Sequence, residues 1–212
     1  MTIEEQAIEF FLAEQVLTFG DFTLKSGRKS PYFFNTGSLC TAAQLRRMGE
    51  LYAQKLTRES AFDAAEVVFG SAYKGIPIAV STTIALATER PSIRAVSDRK
   101  EAKTHGDVSS FLGILMQGDR AVIVDDVIAT GGTKMEAIAK LREAGAIPLG
   151  LVIAFDRAEP AVGSSLTAKE HFEQETGLPV FALATIHDVA RLQPNVSEAF
   201  ERYMKTLVQP VP

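Results

Sequence analysis

Ala121-Val122-Ile123-Val124-Asp125-Asp126-Val127-Ile128-Ala129-Thr130-Gly131-Gly132-Thr133 is the stretch whose reading decides the fold. Its first four residues are apolar without polar alternation, the pattern of a strand buried on both faces. Two adjacent acids follow, then small residues and a glycine pair. Helical character runs from Gly132 to Ala144, with Gly145 as its stop signal. Strand, glycine turn and helix in that order put Asp125 and Asp126 at the carboxyl end of a buried strand. The same turn aims free backbone N–H groups at any anion near the helix start. Carboxylates can hold sugar hydroxyls while amides hold a phosphate, so a phosphorylated ribose suits this pairing.

Outward from that stretch the alternation continues. Glu66 to Gly70 reads as a strand, Gly75 to Glu89 as a helix and Ile93 to Ser97 as a strand. Pro148 to Phe155 and Pro179 to Leu183 add two more strands. Apolar strands separated by helices predict an α/β fold, a parallel central sheet flanked by helices. Before it, residues 2–14 carry Ile3, Ala7, Phe10 and Phe11 at helical spacing. Val16 to Leu24 and Pro31 to Asn35 read as short strands around a turn at Ser26 to Lys29. Thr41 is the expected N-cap of a helix to about Ser60, with Leu45, Met48, Leu51, Tyr52 and Leu56 along one face. The expected division is a single domain, 1–212: a small N-terminal lobe over 1–40, a core over about 41–190, and a last helix over about 196–207.

Composition narrows the function. The chain has 212 residues, 46% of them apolar and 23% charged, as in ordinary globular proteins. No apolar run approaches the roughly 18 residues of a membrane span. Glu4 and Glu5 stand where a secretory signal would carry cations, and Cys40 is the lone cysteine, so a cytoplasmic setting is expected, without a disulfide or a cysteine zinc site. A net charge of −4 argues against nucleic acid as the main partner.

Two further loops carry cations. Phe69-Gly70-Ser71-Ala72-Tyr73-Lys74-Gly75-Ile76-Pro77 lies between a strand and a helix. Alone, Lys74 reads as a solvated lysine; beside the Asp125–Asp126 loop it becomes part of a candidate pyrophosphate cradle. Asp98-Arg99-Lys100-Glu101-Ala102-Lys103-Thr104-His105-Gly106 opens the longest irregular connection, residues 99–113. Charge runs are usually solvated faces. Here three cations and a histidine are expected on a mobile lid that closes over the substrate and faces a departing anion.

The Asp125–Thr133 run resembles the PRPP (5-phosphoribosyl 1-pyrophosphate) motif of type I phosphoribosyltransferases. Phe22-Thr-Leu-Lys-Ser-Gly-Arg-Lys-Ser-Pro-Tyr-Phe-Phe-Asn35 resembles the hood segment of the orotate phosphoribosyltransferases. Gly70 to Pro77, Asp98 to Lys103 and Phe155-Asp156-Arg157 extend the likeness over nearly the whole chain. It implies the type I phosphoribosyltransferase fold with a hood, in a single-function form, and transfer of phosphoribose from PRPP to orotate. By matching position it puts Lys25, Phe33 and Phe34 against orotate and the PRPP end, and Arg157 at the polar edge of the pyrimidine. Asp125 and Asp126 meet ribose hydroxyls, the glycine loop Ala129, Thr130, Gly131, Gly132 and Thr133 binds the 5-phosphate, and Val127 and Ile128 between them belong to the substrate-binding set. Tyr73, Lys74, Arg99, Lys103 and His105 meet pyrophosphate, and Lys100 acts across a homodimer interface. A non-proline cis peptide near Ala72-Tyr73 is also implied. Mg2+ is expected to be held mainly by PRPP oxygens rather than by a protein metal site.

One departure stands out. Orotate enzymes carry threonine where this chain has Ala129, and Ala129-Thr130-Gly131-Gly132-Thr133 looks more like the purine enzymes. One hydrogen bond to orotate is lost there, worth about 1–3 kcal/mol unless a neighbour such as Thr130 replaces it. Two rivals follow: a purine-base phosphoribosyltransferase, and a non-catalytic PRPP-sensing regulator. The first leaves the hood segment unexplained, and the second leaves the Arg99–His105 cations without a task.

Overall fold

The chain's computed structural model describes residues 1–24, 27–99, 110–128, 131–161 and 163–207. Helix α1 (Ile3–Ala13) starts at Thr2, whose hydroxyl and Glu5 close a reciprocal capping box. Strands β1 (Leu17–Thr23) and β2 (Lys29–Phe34) pair antiparallel as a separate hairpin. Helix α2 (Ala42–Arg58) begins at the expected cap, Thr41, boxed with Gln44. Then come β3 (Val67–Gly70), α3 (Gly75–Ala85), β4 (Arg94–Asp98), β5 (Phe111–Leu112), β6 (Arg120–Asp125) and α4 (Gly132–Glu143). The chain goes on through β7 (Ile147–Asp156), α5 (Ala168–Thr176), β8 (Val180–Thr185), α6 (Ile186–Leu192) and α7 (Pro194–Leu207).

The main sheet runs in the order β5-β4-β3-β6-β7-β8, parallel throughout except for β5. Both of its faces are covered, as the unbroken apolar strands require. Val68, Val122, Val124, Val152 and Ala154 face one core, shared with α1, α2 and the hairpin. Val67, Phe69, Ala121, Ile123, Leu151 and Ile153 face the other, shared with α4 and α5. Neighbours in sequence thus alternate between two cores, following the two-residue period of a strand.

Three readings need correction. Helix α3 stops at Ala85 rather than Glu89, since residues 86–89 tighten into turns with Glu89 N–H donating to Leu86 O. The connection 99–113 is not wholly irregular, because Phe111–Leu112 pairs with the end of β4. Helices α5 and α6, where periodicity was weak, went unread; capping boxes at Thr167 and Thr185 open them. Among the described residues no helix is long and apolar enough to cross a membrane.

Candidate active site

Strand order reverses between β3 and β6: the chain leaves β3 towards β4 on one side, and β6 lies on the other. Such a switch point opens a crevice at the carboxyl ends of the strands. Gly70 and Val124 are register partners there, so the loop after β3 and the acids after β6 lie side by side. A Cβ added to Gly70 would sit 2.1 Å from Gly75 O, so the loop between them closes with backbone on backbone. The Ala72–Tyr73 peptide within it is cis. Ala72 N–H donates to Asp98 Oδ1 at 2.7 Å, and Lys140 Nζ holds the other oxygen of Asp98 at 2.6 Å.

Asp125 and Asp126 are both buried. Lys134 Nζ lies 2.6 Å from Asp125 Oδ2, and Lys74 Nζ lies 2.7 Å from Asp126 Oδ2. The second oxygens accept the amides of Asp126 and Val127, and the Tyr52 hydroxyl donates to Asp125 O at 2.7 Å. Burial raises the Asp125 pKa and the Asp126 charge adds to it, while the Lys134 charge opposes both. Burial likewise pushes the Tyr52 phenol well above its ordinary range, with the two acids adding to the shift. Gly131 takes a left-handed φ of +75° and opens α4, whose first-turn amides, Gly132 and Thr133 among them, point out of the helix. Charged side chains, sugar-sized acids and an amide cradle therefore converge on one crevice.

A second charged group lies at the end of β7. Glu159 Oε1 accepts Arg157 Nε at 2.9 Å and Nη2 at 2.6 Å, Tyr203 Oη at 2.6 Å and Tyr32 Oη at 3.2 Å. Its Oε2 accepts Arg28 Nη1 at 3.2 Å. The Arg157 guanidinium lies 5.1 Å from the centroid of the Tyr32 ring. Between Arg157 and Glu159, Ala158 takes a left-handed φ of +49°, an uncommon state for a residue with a Cβ. That turn brings the carboxylate back under the guanidinium. Burial works against the Arg157 cation, but Tyr32 and Glu159 outweigh it and raise its pKa. Burial raises the pKa values of Tyr32 and Tyr203 as well.

The phosphoribosyl transferase domain model matches residues 42–188. An orotate phosphoribosyltransferase of Methylococcus capsulatus is 47% identical over 184 residues, 86% of this chain and 84% of its own. One from Bifidobacterium adolescentis is 40% identical over 205 residues, 93% and 89% of the two chains. The crystal structure of the Francisella tularensis orotate phosphoribosyltransferase superposes with a TM-score of 0.81 at 34% identity, covering 94% of this chain and 97% of that one. The chain belongs to the orotate phosphoribosyltransferase family. In this family member the hood hairpin β1–β2 and helix α7 meet the end of β7 through the Glu159 cluster.

Of the residues singled out from sequence, Tyr73, Lys74, Asp125 and Asp126 share the switch-point crevice, with Gly131 to Thr133 at the start of α4. Arg99 lies beside it; its Nε donates to Phe111 O and its amide to Ser110 O. Phe33 and Phe34 face opposite sides of β2. Phe33 is 43% exposed and stacks on Phe22, whereas Phe34 is buried against Phe155 and Phe11. Its side chain belongs to the core, which leaves Phe34 only its backbone for a ligand. Lys25, Lys100, Lys103, His105, Ala129 and Thr130 lie outside the described residues.

Sequence reading missed Lys134, Tyr52, Glu159 and Tyr203. Lys134 left a signal, since a cation in the first turn of a helix opposes the helix dipole and needs an acid nearby. Tyr52 and Tyr203 sit at ordinary apolar positions of α2 and α7, and nothing in their spacing points across the fold.

Proposed function

We propose that the protein transfers the phosphoribosyl group of PRPP to orotate, giving orotidine 5′-monophosphate and pyrophosphate, a step of pyrimidine nucleotide synthesis. The observation that carries this reading is the Lys74–Asp126 contact. It joins the glycine-closed loop after β3 to the acids after β6 at the switch point, in a chain of the orotate phosphoribosyltransferase family.

In this reaction the bond from ribose C1 to the pyrophosphate oxygen breaks and a bond from C1 to a ring nitrogen of orotate forms. Orotate enters as an anion, so little general-base help is needed. Asp125 and Asp126 position the ribose and favour the positive charge that develops on it. The glycine loop Ala129 to Thr133 binds the 5-phosphate. Tyr73, Lys74, Arg99, Lys103 and His105 take the charge of the leaving pyrophosphate. Lys74 already pairs with Asp126, so on binding it is shared between carboxylate and anion. Lys25, Phe33, the Phe34 backbone and Arg157 hold orotate, beneath a hood over residues 1–40 that closes on a core of about 41–190. Lys100 reaches the site of a second copy in a homodimer, and the enzyme works in the cytoplasm without nucleic acid or membrane.

Among the described residues no three carboxylate, imidazole or thiol groups converge to hold a metal. The hard oxygens of Asp125 and Asp126, each facing a lysine, suit Mg2+ carried in by PRPP and met at the crevice rather than a resident ion. When bound, that ion neutralises charge on pyrophosphate.

The test is a spectrophotometric assay with PRPP and Mg2+, offering orotate, uracil, adenine and hypoxanthine separately. Consumption of orotate alone is expected. Turnover of a purine would mean that the Ala129–Thr133 loop, not the hood, selects the base; PRPP binding without turnover would favour the regulator. Lys103→Ala is expected to lower kcat by about 100-fold or more with orotate, and an unchanged kcat would remove Lys103 from the leaving-group role.

A further inference from the structure

Arg157 is a half-buried guanidinium, its side chain 16% exposed. Its Nε and Nη2 both donate to the same Glu159 oxygen, and the Tyr32 hydroxyl is a further hydrogen-bond neighbour of the guanidinium. A carboxylate engaged on that side edge fixes the plane of the fork and turns its Nη1 end away from Glu159. Glu159 is itself over-determined: Arg28 and Tyr32 come from the hood hairpin, Tyr203 from α7 and Arg157 from the end of β7, so three separate parts of the chain set where one carboxylate lies. The left-handed turn at Ala158 delivers Glu159 to that spot. A salt bridge kept only for stability would not need so uncommon a backbone or so many directional donors. Backbone in a sparsely populated region, held by its surroundings, is a mark of sites where geometry matters.

We propose that Glu159 is a positioning residue for base recognition: it holds Arg157 so that the guanidinium keeps its direction toward the anionic edge of the incoming base, and it ties that geometry to the hood and to α7. This rests on the placement of Arg157 at the polar edge of orotate.

The test is steady-state kinetics on four full-length proteins: wild type, Glu159→Gln, Arg157→Ala and the double variant. Glu159→Gln keeps the size of the side chain and removes its charge. It is expected to raise KM for orotate about tenfold while KM for PRPP stays within about twofold. In the Arg157→Ala background Glu159→Gln is expected to add less than about twofold to KM for orotate, because its effect passes through the guanidinium. Tyr203→Phe, which removes one hydroxyl from the cluster, is expected to raise KM for orotate about two- to threefold and serves if Glu159→Gln does not fold. Equal rises in both KM values, or additive effects of the two substitutions, would overturn the proposal and leave Glu159 a structural residue. If Arg157→Ala alone leaves KM for orotate unchanged, the placement of Arg157 is wrong instead, a separate outcome that also removes the basis for Glu159.

Discussion

Two charged clusters close adjacent strands, β6 and β7, and they are built differently. At the end of β6 each carboxylate has its own lysine, Asp125 with Lys134 and Asp126 with Lys74. At the end of β7 one carboxylate, Glu159, is shared by Arg157, Arg28, Tyr32 and Tyr203. An ammonium is a compact charge on a flexible stem; it neutralises without dictating an angle and can be exchanged for another partner. Guanidinium and phenol groups are planar and directional, so a network of them holds an orientation. The first cluster suits a site where sugar and anion displace a protein partner. The second suits a site where one fork must keep its direction.

The largest test of this contrast is Lys134→Met. Lys134 is only 9% exposed in its side chain, and its loss leaves Asp125 buried without a cation. A fall in stability of about 3–5 kcal/mol by chemical denaturation is expected, with most of it recovered on adding Asp125→Asn. A fall below about 1 kcal/mol would mean that this pair behaves like a surface contact and that the contrast fails.

The pH response of the same pair comes next. Burial, and then the Asp126 charge, raise the Asp125 pKa in the folded protein against the opposing charge of Lys134. A folded carboxyl that holds its proton to higher pH than the unfolded one takes up protons on folding. Its contribution therefore makes the fold lose stability as pH rises from the ordinary aspartate value through the raised one. The acid limb of kcat/KM for PRPP is expected above the range of an ordinary aspartate. In Lys134→Met it moves higher still, since the opposing charge is gone. A limb that shifts downward would reverse the assigned causes.

The Glu159 cluster is expected to give smaller losses of stability, because each donor is one of several. Tyr203→Phe should cost about 1 kcal/mol, measured by thermal or denaturant unfolding. Arg28→Ala should cost less, about 0.2–1 kcal/mol; its side chain is 34% exposed and its ion pair weakens with added salt. If Arg28→Ala costs more than Tyr203→Phe, charge rather than direction dominates this cluster too.

Much of the sheet was legible because it obeys local rules. Runs such as Val122–Val124 and Leu151–Phe155 are too apolar for a half-exposed strand, and Gly70, Gly75, Gly131 and Gly145 mark the turns. The acids and the cations of the crevice were legible as motifs at strand ends. The partners that complete them were not. Glu159 meets Arg28 from 131 positions away and Tyr203 from 44, and Tyr52 reaches Asp125 across 73. No period or propensity encodes such distances. The pair Phe33 and Phe34 shows the same limit within one strand, since only the packed fold reveals which of two neighbouring rings goes inward.

By itself the sequence determined the class of fold and the strand-end loops, because apolar periodicity, capping residues and glycine turns act over a few residues, and its motifs carried the family likeness. Only the tertiary structure decided the strand order that creates the crevice, the burial of Lys134 with Asp125, and the convergence of three chain segments on Glu159. Those depend on which surfaces meet once the two cores close, and a buried charge accepts only the partner that packing brings within reach.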